Sequence, residues 1–186
     1  MSNPTRTALA LGDVAPDFAL PDTDGREQAL PPAGDSAAAT VVVFTCNHCP
    51  YALAWHDRLL DVARDYAERG VSLLLVNAND AERYPRDSYD AMVERVRNDG
   101  GWPVPYLHDE TQDVARRFGA MVTPDVFALD AERRLRYRGA PDADYNDPSQ
   151  AAGWLRAALD DMLAGREVAE PETKPVGCGV KWRPGA

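Results

Sequence analysis

Positive charge, thiols and long apolar runs are all scarce in this chain. Its 186 residues carry 20 Lys+Arg against 30 Asp+Glu, a formal net charge of −10. Such a balance argues against nucleic acid or an anionic membrane as partner, because both repel an acidic surface. The longest run of apolar and small residues, 37–46, falls far short of the roughly 20 that a spanning helix needs, and it fits a buried strand. Residues 1–10 hold one Arg and no sustained apolar stretch, so no secretory signal is expected there. A cytoplasmic location is the resulting expectation, where thiols are kept reduced. There are only three cysteines, and with 45% hydrophobic residues the chain can build a core without a disulfide scaffold. No Gly-rich phosphate loop, internal repeat or low-complexity tract is present, so no bound organic cofactor is expected.

Two of the three cysteines stand together. Cys46-Asn47-His48-Cys49 lies where Val41-Val42-Val43-Phe44 gives way to a helical pattern. Thiols spaced i and i+3 at a helix start can close a small disulfide ring. The first is expected to lie in the positive field of the unpaired N–H groups, which favours its thiolate. A strand–Cys-x-x-Cys–helix order reads as a redox dithiol. A reading from a different class keeps the same residues. Cys46 and Cys49, with Cys178 or His48, would bind a soft metal, although no second Cys-x-x-Cys completes a tetrahedral set.

Along the chain, short strands are expected at 17–20 and 28–30 around a turn at 21–25. The hydrophobic run 40–45 predicts a strand covered on both faces. Trp55, Leu59, Val62, Ala63 and Tyr66 recur at helical steps over 50–69, before Gly70. A second buried strand is expected at 71–76, a helix at 87–98, a short strand at 104–107 and a short helix at 111–118. Two strands at 125–129 and 135–138 form a hairpin, and an amphipathic helix at 148–164 closes the order. The class is α/β: a central mixed sheet with helices on both faces, a right-handed parallel first crossover, and the dithiol at the carboxyl end of a central strand.

With the dithiol and the downstream Thr123-Pro124, the chain resembles the thioredoxin-fold redoxins. It is most similar to the branch that groups alkyl hydroperoxide reductase/thiol-specific antioxidant (AhpC/TSA) proteins with TlpA-like thiol–disulfide oxidoreductases. The stretches APDFALPDTDG, VVVFTCNHCPY, GVSLLLVNANDAERYP and PYLHDETQDVARRFGAMVTPDVFALD carry the likeness, and RLRYRGAPDAD and PVGCGVKW extend it to about residue 182. The resemblance implies a flexible lead-in over 1–11, a thioredoxin-like domain with an N-terminal β extension over 12–165, and an irregular tail over 166–186. Three features depart from the family pattern. Thr45 stands where many thioredoxins have Trp, Thr40 where they bury an acid, and the peroxiredoxin P-x-x-x-T-x-x-C pattern is missing around both Cys46 and Cys49. Thiol–disulfide exchange is therefore expected ahead of peroxide reduction.

On this reading Cys46, ionised and facing solvent, attacks a substrate disulfide, and Cys49 resolves the mixed disulfide by closing the ring. His48 is expected to steady the Cys46 thiolate; the resemblance points the same way, because protein disulfide isomerases also carry His before the second Cys. Thr123-Pro124 resembles the family's cis-proline loop, which would offer the Thr123 backbone to a substrate peptide. Three readings of Cys178 stay open: a second-stage resolving thiol, a thiol that pairs between chains, or a free cysteine under a tail anchored by Trp182. His56 and His108 read as ordinary surface or sheet-end residues, and Asn77, Asn79 and Asp80 as a polar strand-to-helix turn. The expected partners are a disulfide-bearing protein or small thiol and a cellular dithiol reductant.

Overall fold

The computed structural model describes residues 8–34 and 37–185. The chain opens with β1 (Ala19–Pro21) and β2 (Glu27–Ala29), an antiparallel pair. It continues through β3 (Ala39–Phe44), α1 (Pro50–Tyr66), β4 (Val71–Asn77), α2 (Tyr89–Asn98), β5 (Tyr106–His108) and α3 (Asp113–Phe118). Next come β6 (Val122–Thr123), β7 (Asp125–Asp130), β8 (Leu135–Gly139), α4 (Gly153–Leu163) and β9 (Cys178–Gly179). The central sheet has the order β5-β4-β3-β7-β8, with β3, β4 and β5 parallel and β7 and β8 antiparallel to their neighbours.

β3 is central because each of its residues is buried. Successive side chains point to opposite faces. Val41 and Val43 pack with Trp55 and Leu59 of α1, Met92 of α2, and Leu155 and Leu159 of α4. Val42 and Phe44 pack on the other side with Val114 and Phe118 of α3 and with Leu9, Phe18 and Leu30. Phe44, Phe118 and Phe127 meet edge to face, with centroids 5.5–5.7 Å apart. Full burial of each such side chain contributes about 1.5–3 kcal/mol, and it does so on both sides of β3. The mixed sheet and two-sided helical cover therefore match the expected class.

Three local departures have physical reasons. The helix expected over 87–98 starts at Tyr89, because Ser88 caps it by accepting from the Ala91 N–H while residues 85–87 form a separate 3-10 turn. The helix expected over 148–164 splits, because Ala151 and Ala152 adopt positive φ between a 3-10 turn and α4. The tail is irregular for most of its length, but Cys178–Gly179 joins β6 as an antiparallel strand. Of the expected lead-in, residues 1–7 lie outside the described residues; Leu9 is buried in the core.

Candidate active site

β3 delivers the chain to Cys46, and Pro50 opens α1. Cys49, not Cys46, is the capping residue of that helix, and Pro50 at the first helical position lacks only an N–H that would have no partner there. The positive end of the helix therefore acts on Cys49 more closely than on Cys46. Both sulfurs are fully buried and in hydrogen-bond contact with one another. Thr123 touches both: its hydroxyl lies 3.5 Å from Cys46 Sγ, and its carbonyl accepts from Cys49 Sγ at 3.1 Å.

The two thiols shift each other's ionisation in opposite directions. The hydrogen bond from Cys46 pulls Cys49 down to about 4; burial opposes this, while Cys178, Thr123 and the Ala52 amide add to it. The same contact, burial and the Asp87 carboxylate push Cys46 far above the usual thiol range. Full burial corrects the expectation of a solvent-facing Cys46. Both sulfurs lie beneath their neighbours, and the Asp87 carboxylate and burial disfavour charge on Cys46 relative to Cys49. The Cys49–Thr123 carbonyl hydrogen bond is the geometry of the state in which Cys49 holds the proton and Cys46 can carry the charge. A proton passing between adjacent sulfurs interconverts the two charge states.

His48, half-buried, places Nδ1 2.6 Å from Asp87 Oδ2 and stacks on Tyr84. Asp87 is fully buried and accepts from the Asn47 N–H at 2.7 Å and from Asn79 Nδ2 at 2.8 Å. Asp87 is the buried acid not evident at Thr40, delivered from the turn before α2 instead of from β3. Sequence reading missed it, and it missed Arg95 and Tyr106 as well. Arg95 donates to the Cys46 carbonyl at 3.1 Å, and the Tyr106 hydroxyl donates to Asn47 Oδ1 at 2.9 Å. Together they hold the Cys46–Asn47 turn against the sheet.

Cys46, His48 and Asp87 also place one ligand atom each within 4.8 Å of one another. A cation at this site would therefore draw on a different set from the expected Cys46, Cys49 and Cys178. The Asp87 oxygens are already engaged by Asn47, Asn79 and His48, which suits a His–carboxylate pair better than a metal ligand.

Thr123-Pro124 is a cis peptide facing the dithiol, as the resemblance implied. The β6 edge is occupied: Thr123 pairs with Cys178 and Val122 with Gly179. Cys178 packs against Cys46 and Cys49 and hydrogen-bonds Cys49. Asn77, Asn79 and Asp80 are buried and do more than make a turn. Asn79 bridges Asp87 and the Lys181 N–H, and the Asp80 N–H donates to the Lys181 carbonyl. His108 does end a strand, but His56 is buried against Trp102 instead of lying on the surface.

The AhpC/TSA family model matches residues 11–138. The chain belongs to the AhpC/TSA family. It is a redox enzyme with the thioredoxin-like fold of that family, and no described helix is long and apolar enough to cross a membrane. It is 40% identical to an uncharacterized conserved protein from Geobacillus kaustophilus, with a TM-score of 0.86 over 96% of this chain and 95% of that one. A hypothetical protein from Sinorhizobium meliloti 1021 is 36% identical, with a TM-score of 0.87 over 96% and 98%. The thiol-disulfide oxidoreductase ResA of Geobacillus thermodenitrificans is 26% identical over 132 residues, 70% of either chain.

Proposed function

We propose that this AhpC/TSA protein is a thiol–disulfide oxidoreductase whose redox couple is Cys46–Cys49. The observation that carries the reading is a pair of free, buried thiols, Cys46 and Cys49, both in contact with Thr123 at the cis-proline loop. When the proton passes to Cys49, the Cys46 thiolate attacks a substrate disulfide and releases one substrate thiolate. Cys49 then attacks the mixed disulfide, closes the Cys46–Cys49 ring and frees the second substrate thiol. His48, oriented by Asp87, supplies a proton to the leaving sulfur. A substrate peptide pairs along Thr123, which requires the tail strand to leave that edge. The substrate is a disulfide-bearing protein or small thiol, and a cellular dithiol restores the reduced pair. The cytoplasmic placement belongs to this reading and is checked by fractionating producing cells.

Insulin reduction driven by dithiothreitol tests the assignment. Cys46→Ser and Cys49→Ser should each lose about two orders of magnitude or more in rate, because the first lacks the attacking sulfur and the second the resolving one. Wild-type turnover in either variant would overturn it.

A further inference from the structure

The tail is docked where a substrate strand would pair. Gly177 packs so tightly on the Thr123 backbone that an added Cβ would lie 2.2 Å from the Thr123 carbonyl oxygen. Thr123 and Cys178 are in antiparallel register, and the Val180 N–H donates to the Met121 carbonyl at 3.1 Å. Beyond the strand, the Lys181 N–H donates to Asn79 Oδ1 at 2.9 Å, and the Lys181 carbonyl accepts from Gln112 at 2.8 Å. Trp182 lies under Arg116, 4.9 Å from guanidinium to ring centre. These anchors hold Cys178 against Cys49, and Cys178 alone among the three thiols retains exposure. While the tail is seated, an external reductant meets Cys178 before it can meet either sulfur of the couple.

We infer that Cys178 is a third redox thiol that carries the oxidation of the Cys46–Cys49 pair out to the tail. This step rests on the reading proposed above. Once substrate has oxidised the couple, Cys178 attacks Cys49 Sγ. The Cys46–Cys49 bond breaks, the Cys49–Cys178 bond forms, and the proton lost by Cys178 is taken up by the released Cys46 sulfur. Oxidation level is unchanged by this exchange. A dithiol donor then attacks the half-exposed Cys178 sulfur, is itself oxidised to a disulfide, and returns Cys49 and Cys178 to thiols. In the reduced state burial and the charge on Cys49 push the Cys178 thiol up to about 11. The contribution from Cys49 disappears once that sulfur is in a disulfide, so Cys178 becomes the better nucleophile when it is needed.

The test oxidises the reduced full chain with one equivalent of diamide, quenches in acid, alkylates the remaining thiols and maps the bonds by mass spectrometry. The expected result is a Cys49–Cys178 disulfide with alkylated Cys46 alongside the Cys46–Cys49 species. In Cys46→Ser, Cys49–Cys178 should be the main product. Re-reduction by dithiothreitol should slow by about tenfold in Cys178→Ser. Alkylated Cys178 in every oxidised sample, with Cys46–Cys49 formed normally, overturns the relay and leaves the dithiol reading standing. Absence of any disulfide involving Cys46 or Cys49 overturns both.

Discussion

His48 Nδ1 lies 2.6 Å from Asp87 Oδ2, in a site where Asp87 is fully enclosed and His48 keeps a path to solvent. A buried carboxylate that also accepts from Asn47 and Asn79 is costly to remove, because its donors are left unpaired. Asp87→Ala should lower unfolding free energy by about 3 kcal/mol, read from urea denaturation. Asp87→Asn should cost less stability but still slow disulfide exchange, since no charge then lies beside the His48 ring. Equal exchange rates in wild type and Asp87→Asn would remove His48–Asp87 from the chemistry.

The Thr123 hydroxyl, 3.5 Å from Cys46 Sγ, favours a thiolate at that position. Thr123→Val keeps the shape and removes the donor, which should weaken Cys46 ionisation by about 1 kcal/mol, roughly a fivefold drop in thiolate population. The pH profile of iodoacetamide labelling at Cys46 reads this directly. An unmoved profile would show that the hydroxyl is a spectator.

Gly177→Ala forces a methyl group into the Thr123 carbonyl, with a nominal separation of 2.2 Å. The strand Cys178–Gly179 should leave β6, and alkylation of Cys46 and Cys49 should accelerate by about tenfold as the pair opens. Unchanged labelling would mean that the tail does not guard the dithiol.

Burial pulls His56 down to about 4, with the Arg95 charge adding to the effect, so the folded state prefers the neutral ring. The unfolded chain takes up the proton first. The stability this residue contributes is therefore complete above the ordinary histidine value of 6.5 and is lost as pH falls toward 4, by about 3 kcal/mol. Asp125 has the opposite sign in the same window. Burial raises it to about 6, and its contribution is present below 3.8 and lost as pH rises through 6. His56→Phe should gain on wild type as the medium is acidified from neutral to pH 4, measured as the difference in urea midpoints. A constant difference would contradict the buried, neutral assignment.

Much of this fold can be read along the chain. An unbroken run such as Val41-Val42-Val43-Phe44 has only one comfortable place, inside a covered sheet, and the spacing of Trp55, Leu59 and Val62 leaves little choice for α1. The dithiol was equally plain, because its two thiols are neighbours in sequence. The start of α1 at Pro50 was legible as well, because the apolar spacing over 50–69 begins there. Contacts across long separations were not. Asp87 reaches the Asn47 N–H over 40 residues, and nothing local marks an acid in a Pro-Arg-Asp turn as buried. β6 and β9 have two residues each, too few to show a period, and they exist only because they pair. His56 was misplaced for a similar reason: a lone imidazole on a helix face gives no sign of the Trp102 ring that covers it.

The most direct measurement is a redox titration of the Cys178→Ser chain in glutathione buffers, with free thiols counted by mass after acid quench. The account predicts that Cys46 and Cys49 disappear together in one two-electron transition of about 30 mV per decade, leaving an intramolecular disulfide and no glutathione adduct at the end point. Separate titration of the two sulfurs, each ending as its own glutathione adduct, would contradict it.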